Sequence, residues 1–322
     1  MKSSNRSRPR LPQARTALRA LGLFAASALV VLSVHAQGTA SWNSVGPPGG
    51  ATTALRASPL TAGVVYAGTA ENGIFYSTDA GRHWSSANAG LVPTSDTGRQ
   101  QLLSVSALAT DGQRMYAATG TGLYYSSASG MPQWLPLAGP SNAPALTMLA
   151  FDAATGRLFA ASDATDGVNA SRIYSKTLDP STDPAVPAWN SSALPDATIG
   201  ATVNGLAIIP AMGGGVPGAL LVAVGNGLQA ASILGTTVDL NWVDGDPSGT
   251  LATGSVRAVS YSADFSQAYA CSGSIAFASG NPLDPLSPRL PLNLIGAGSE
   301  PFNCTGFFSI PFAATGLPPS IV

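Results

Sequence analysis

Asp79 and His83 stand four residues apart in Ser77-Thr78-Asp79-Ala80-Gly81-Arg82-His83-Trp84. At that spacing a carboxylate can orient an imidazole for acid–base work. The chain has only two histidines, and the other, His35, falls in the first 36 residues. A multi-histidine metal site is therefore excluded from the body of the chain, and a nucleophilic triad would have only His83 to use. Glycoside hydrolysis needs two carboxylates across a sugar. The glutamates are Glu71 and Glu300, and the other fourteen acids are Asp. Asp179, Asp183, Asp246 and Asp284 each precede proline, where capping a turn is the default role. Arg56, Arg114, Arg157 and Arg257 carry the guanidinium geometry that grips a substrate carboxylate. They come from separate stretches of chain, so their convergence is left open. Asp163-Ala164-Thr165-Asp166-Gly167 and Asp244-Gly245-Asp246 lack the spaced oxygen ligands of a calcium loop. No metal and no cofactor is expected.

The elements that would position these groups begin after a leader. Lys2, Arg6, Arg8, Arg10, Arg15 and Arg19 form a basic head, Ala20 to Val34 is apolar, and Val34-His35-Ala36 ends in a small residue. That is the pattern of a cleaved signal peptide over residues 1–36, forming a helix, with a mature domain over residues 37–322. Fifteen apolar residues are short for a membrane span. The expectation is a secreted or periplasmic protein, with no membrane attachment after cleavage. Without the leader the chain keeps nine basic and sixteen acidic residues. Such a surface disfavours nucleic acid and anionic membranes. Cys271 and Cys304 are the only cysteines, and in an oxidising compartment a disulfide between them is the favoured reading. Two separate buried thiols are the alternative.

Composition points to many short strands joined by turns: 45% hydrophobic residues, 10% charged, 36 Gly and 25 Pro. Trp42, Trp84, Trp134, Trp189 and Trp242 are separated by 42, 50, 55 and 53 residues, a period that marks a repeat architecture. Other segments recur in phase. Thr53-Ala54-Leu55, Ser106-Ala107-Leu108, Thr147-Met148-Leu149, Asn204-Gly205-Leu206 and Arg257-Ala258-Val259 open the units. Apolar segments ending in small residues follow, from Val64-Val65-Tyr66-Ala67-Gly68 to Ala268-Tyr269-Ala270-Cys271. A third segment starts from Gly or a small polar residue, as in Gly73-Ile74-Phe75-Tyr76. Then comes a turn and a Trp-led strand, with Leu290 standing where a sixth Trp would fall.

The turn with the clearest chemistry is Ser-x-Asp-x-Gly-x-x-Trp. Asp79 can accept bonds from the N–H groups that follow it, Gly81 can adopt φ > 0, and Trp84 supplies apolar surface. Ser77, Asp79, Gly81 and Trp84 together resemble the Asp-box, or BNR repeat, of β-propellers such as sialidases, sortilin-type receptors, some endoglucanases and photosystem II assembly factors. The segment from Ser126 to Trp134 keeps Gly130 but has Ala128 in the Asp position and is one residue longer. The turns before Trp189 and Trp242 carry no recognisable box.

The resemblance implies an all-β propeller of four-stranded blades, five or six in number, with Trp42 starting a strand that completes the last blade. It also implies that the box is structural and lies away from the ligand-binding end of the channel. In such a ring Thr53, Ser106, Thr147, Asn204 and Arg257 border the channel, either as a polar binding ring or simply facing water. The function expected is a monomeric, exported, non-enzymatic binding or scaffolding module for a protein or glycan. The alternative is a glycosidase of sialidase or endoglucanase type, although no Phe-Arg-Ile-Pro type segment precedes the box.

Overall fold

The computed structural model describes residues 46–48, 50–92, 103–163, 170–178, 189–195, 200–210, 218–233, 240–245, 256–261, 268–272, 275–279 and 289–291. These residues are all-β, with no helix among them. They form five antiparallel four-stranded sheets arranged as propeller blades, each built from strands consecutive in the chain. The first blade holds β1 (Thr52–Ala57), β2 (Val65–Thr69), β3 (Ile74–Ser77) and β4 (Ser85–Ser86). The second holds β5 (Val105–Thr110), β6 (Arg114–Thr119), β7 (Gly122–Ser127) and β8 (Leu135–Leu137). The third holds β9 (Leu146–Asp152), β10 (Arg157–Ser162), β11 (Arg172–Thr177) and β12 (Asn190–Ala193). The fourth holds β13 (Val203–Ile209), β14 (Gly218–Val224), β15 (Gly227–Ile233) and β16 (Trp242–Asp244). The fifth holds β17 (Val256–Tyr261), β18 (Ala268–Ser272), β19 (Ile275–Ser279) and β20 (Arg289–Pro291). First strands neighbour one another in series: β1 with β5, β5 with β9, β9 with β13 and β13 with β17. The leader, Trp42 and Cys304 lie outside the described residues. Cys271 is buried in β18 and is disulfide-bonded.

The core is a set of layers between blades, and the second strands show why they read as continuous apolar runs. Both of their faces are covered, so the period of two divides one strand between two layers. Met115 and Ala117 of β6 face the first blade, while Tyr116 and Ala118 face the third. In β10, Leu158 and Ala160 join the second layer and Phe159 and Ala161 the next. In β14, Leu220, Val222 and Val224 face back, and Ala219, Leu221 and Ala223 face forward. Every residue of β14 is buried. The small residues ending these strands answer to the closeness of the next blade. A Cβ on Gly68 would sit 2.6 Å from Cγ1 of Val105.

Fourth strands begin at or just after the tryptophans, as their spacing predicts. The indoles also reach backwards across the blade junctions. Trp134 Nε1–H donates to the Ala87 carbonyl just beyond β4 at 2.8 Å. Trp189 Nε1–H donates to Ala138 O just beyond β8 at 2.8 Å. Trp242 Nε1–H donates to Ser192 Oγ in β12 at 3.0 Å. Tryptophan thus fastens β8, β12 and β16 each to the outer strand before it.

The turn from β3 to β4 has the bonding its residue types allow. Ser77 Oγ accepts from Gly81 N–H at 2.8 Å, and Ser77 O–H donates to Asp79 Oδ1 at 2.9 Å. Asp79 Oδ1 also accepts from the N–H groups of Arg82 (3.0 Å) and His83 (2.9 Å), and Oδ2 meets His83 Nδ1. Gly81 sits at φ 87° with Trp84 Cζ2 only 3.4 Å from where a Cβ would stand. The backbone angle therefore calls for glycine, and a Cβ there would touch the indole at ordinary contact distance. The matching turn of the second blade keeps Gly130 at φ 73° and the serine hydroxyl: Ser126 Oγ accepts from Gln133 N–H at 2.9 Å. Ala128, in the Asp position, is buried.

Two outcomes follow from these contacts. Trp134→Phe keeps the ring but leaves the Ala87 carbonyl without its buried donor, at a cost of about 1–3 kcal/mol. Trp242→Phe should cost less, because Trp242 is half-buried and its acceptor is a hydroxyl that can turn to water; urea denaturation compares the two. For Asp79, backbone and ring donors hold the carboxyl well below its ordinary value of 3.8, the His83 N–H contributing most. A depressed folded value stabilises above the unfolded value and is lost as pH falls through the folded one. The Tm gap between wild type and Asp79→Asn should therefore be full at neutral pH and narrow below about pH 4.

Candidate functional site

β1 and β3 run in the same direction, so each blade has two distinct ends. At one end lie the β1–β2 and β3–β4 turns, including Asp79 and His83. At the other lie the β2–β3 turns, the starts of the first strands and the connections between blades. The five residues singled out at the opening of each unit all belong to this second end.

Each of those five is the residue skipped in the pairing of its first and second strands. Register shifts fall between Thr52 and Ala54, Val105 and Ala107, Val203 and Gly205, and Val256 and Ala258. In the third blade Met148 pairs with Ala161 and Leu146 with Ser162, which passes over Thr147. A bulge re-aims the side chain it carries. Here that side chain is turned towards a neighbouring backbone. Thr53 Oγ1–H donates to Val105 O, Ser106 Oγ lies 2.7 Å from Leu146 O, and Asn204 Nδ2–H donates to Val256 O at 2.7 Å. Each acceptor is the residue just before the next blade's bulge. Thr147 instead reaches the carbonyl of Ala161 in its own blade, at 3.4 Å. Arg257, the fifth member, is exposed. Three of the five side chains therefore hold blades together, which neither a binding ring nor a water-facing ring anticipates.

The remaining candidates divide by end. Arg114 and Arg157 open β6 and β10, across the length of the blade from Arg257, and Arg157 is buried. Arg114 lies over the Tyr125 ring, 5.8 Å from its centroid, and Arg56 donates to Leu108 O. The four arginines do not gather at one point. Most described carboxylates serve the backbone. Asp111 Oδ1 accepts from Gln113 and Arg114 N–H, Asp152 Oδ1 from Ala154 N–H, and Asp163 Oδ1 from Val203 N–H of the next blade at 2.7 Å. His83 is 89% exposed, and its Asp79 partner is held ionised rather than poised to give a proton. Burial pushes the Tyr66 hydroxyl up to about 12, with Tyr76 adding to the effect. Burial also raises Tyr116, whose O–H donates to Asp111 Oδ2. Neither phenol can release a proton near neutral pH.

One feature of the second end had no counterpart in the spacing of charged or aromatic residues. A cavity of about 400 Å³ opens between the β6–β7 turn at Thr119-Gly120-Thr121-Gly122 and the β8–β9 connection from Gly139 to Leu146. Its sequence signal is the Gly/Thr and Gly/Pro content of those two loops, which reads equally well as ordinary turn composition.

No protein-family model matches the sequence, and no curated protein matches it either. Solved structures do resemble it. An ancestral GH74 enzyme superposes with a TM-score of 0.52 at 15% identity, over 77% of this chain and 32% of the enzyme. U3-55K gives 0.51 at 16% identity, over 81% of this chain and 72% of its own. The extracellular domain of a putative hybrid two component system from B. thetaiotaomicron gives 0.50 at 11% identity, over 80% and 30%. The chain thus spans about a third of the GH74 enzyme it resembles. At these identities what the chain shares with all three is the β-propeller fold.

Proposed function

We propose that this chain is an exported propeller of the Asp-box type that binds or scaffolds a protein or glycan and carries out no reaction. The use of its carboxylates supports this most directly. Of the described acids, Asp79, Asp111, Asp152 and Asp163 are engaged by backbone N–H groups at turns or blade junctions. A carboxylate whose oxygens are taken up by such donors serves a turn or a junction rather than standing free to work across a sugar. The basic head and apolar run before Gln37 support export. The ligand face is the end that carries the bulges, and Arg257 is an exposed cation on it, as is Arg172 at the start of β11.

A glycosidase reading keeps one support, the fold likeness to a GH74 enzyme. The two readings separate in a hydrolysis screen of the purified chain against soluble β-glucans and sialylated glycans. A binding module releases no reducing sugar or sialic acid. Release that disappears in Glu71→Gln or in an Asp→Asn variant overturns the proposal. The column of bulge residues has its own test. With the same glycans tested for binding by calorimetry, Arg257→Ala should weaken any that the wild type binds at least tenfold without moving Tm, whereas Asn204→Ala should lower Tm through the lost bond to Val256. Unchanged binding in Arg257→Ala removes that residue from the ligand face.

A further inference from the structure

We infer that the cavity between the second and third blades is a binding site for an uncharged organic molecule with an aliphatic face and hydroxyl or carbonyl groups. The inference deepens the reading of the chain as a binding module by giving one ligand class a place.

The volume, about 400 Å³, falls in the range of natural small-molecule pockets. Its lining decides the chemistry. Pro140, Ala143, Pro144 and Ala145 offer aliphatic surface, beside the buried side chains of Leu123, Leu137 and Leu146 from β7, β8 and β9. Thr119 and Thr121 line it from the β6–β7 turn, their hydroxyls 3.2 Å apart. Thr121 O–H donates to Val92 O, and Thr119 O–H donates to Gly122 O. These bonds hold the β6–β7 turn in shape. The facing wall is fixed by Pro140 and Pro144, which lock two backbone angles of the connection. Among the described residues no side chain lining the cavity is ionisable. A charged ligand would give up part of its hydration there with no described side chain to neutralise it. A neutral molecule gives up less and gains contact with the prolines and alanines of the β8–β9 connection.

The glycine at the mouth supplies a direct way to fill the space. A Cβ built on Gly139 meets no atom within 4 Å, and its φ is not in the left-handed region. Gly139→Trp therefore adds bulk to open space without backbone strain. Ala145, exposed on the same connection, allows a second such plug, Ala145→Trp.

Saturation-transfer NMR on the purified chain with cyclohexanol, cyclohexanecarboxylate and cyclohexylammonium as probes tests both the site and its charge preference. Cyclohexanol should bind with a Kd of about 1 mM. The two charged probes should bind at least tenfold more weakly. Both plugged variants should lose cyclohexanol at least tenfold with Tm unchanged, while Met131→Trp, an exposed residue outside the cavity, should bind as wild type does. Should both plugs unfold, saturation of the methyl protons of the folded wild-type chain decides the matter instead: transfer to cyclohexanol in preference to the two charged probes supports the site, and no transfer overturns it. The inference is overturned by absent cyclohexanol binding, by equal binding of all three probes, or by folded plug variants that bind unchanged. Hydrolysis of a glycan would overturn the non-enzymatic proposal and leave these outcomes as they are. Failure of cyclohexanol to bind would leave that proposal standing.

Discussion

The structure depends on side chains that cross from one sheet to the next and bond its backbone. Hydrophobic layers alone would hold the blades together without fixing how they are set, because burial has no direction. Hydrogen bonds do have direction. Near the inner strands, Thr53, Ser106 and Asn204 each reach the carbonyl that precedes the following bulge. Near the outer strands, the indoles of Trp134, Trp189 and Trp242 reach back to the blade before. A wedge held at its narrow and wide edges can neither slide nor splay, and the apolar layers fill what lies between.

That arrangement assigns different work to the two ends of the blades. The end with the β3–β4 turns carries a dense set of local bonds, centred on Ser77 and Asp79, whose function is to hold a turn in shape. Its most reactive-looking pair, Asp79 and His83, is exposed and mutually engaged. The other end carries the bulges, Arg257 and the cavity beside Thr119 and Gly139. Binding surfaces built there rest on first strands whose positions are fixed by their neighbours. A site on such a support keeps its shape when a ligand arrives.

Small residues and bulges belong to the same constraint. Gly68 and the alanines ending the second strands let the following blade's first strand approach closely. The bulge then turns one polar side chain out of the pleat and onto that approaching backbone. A larger residue in the first place, or regular pairing in the second, would separate what the other brings together. Bulk and register are matched across the junction.

The sequence determined the repeat, and with it most of the fold. Tryptophans at intervals near 50 residues, and apolar runs in phase with them, can be satisfied only by short strands in similar surroundings. Strands β1 to β20 fall where that pattern puts them. The bonding of Ser77, Asp79 and Gly81 was also legible, because those partners lie within seven residues of each other and need no distant contact. Polar residues at Thr53, Ser106, Thr147, Asn204 and Arg257 could be aligned as one column, but their use could not be read. Val105, Leu146 and Val256 stand 40 to 52 residues further along the chain, and only packing of adjacent blades brings those carbonyls within reach. The indole bonds and the cavity between the β6–β7 turn and the Gly139–Leu146 connection are of the same kind. Local chemistry sets what each blade is; the junction between blades, a product of tertiary packing, decides which side chains remain available to a ligand.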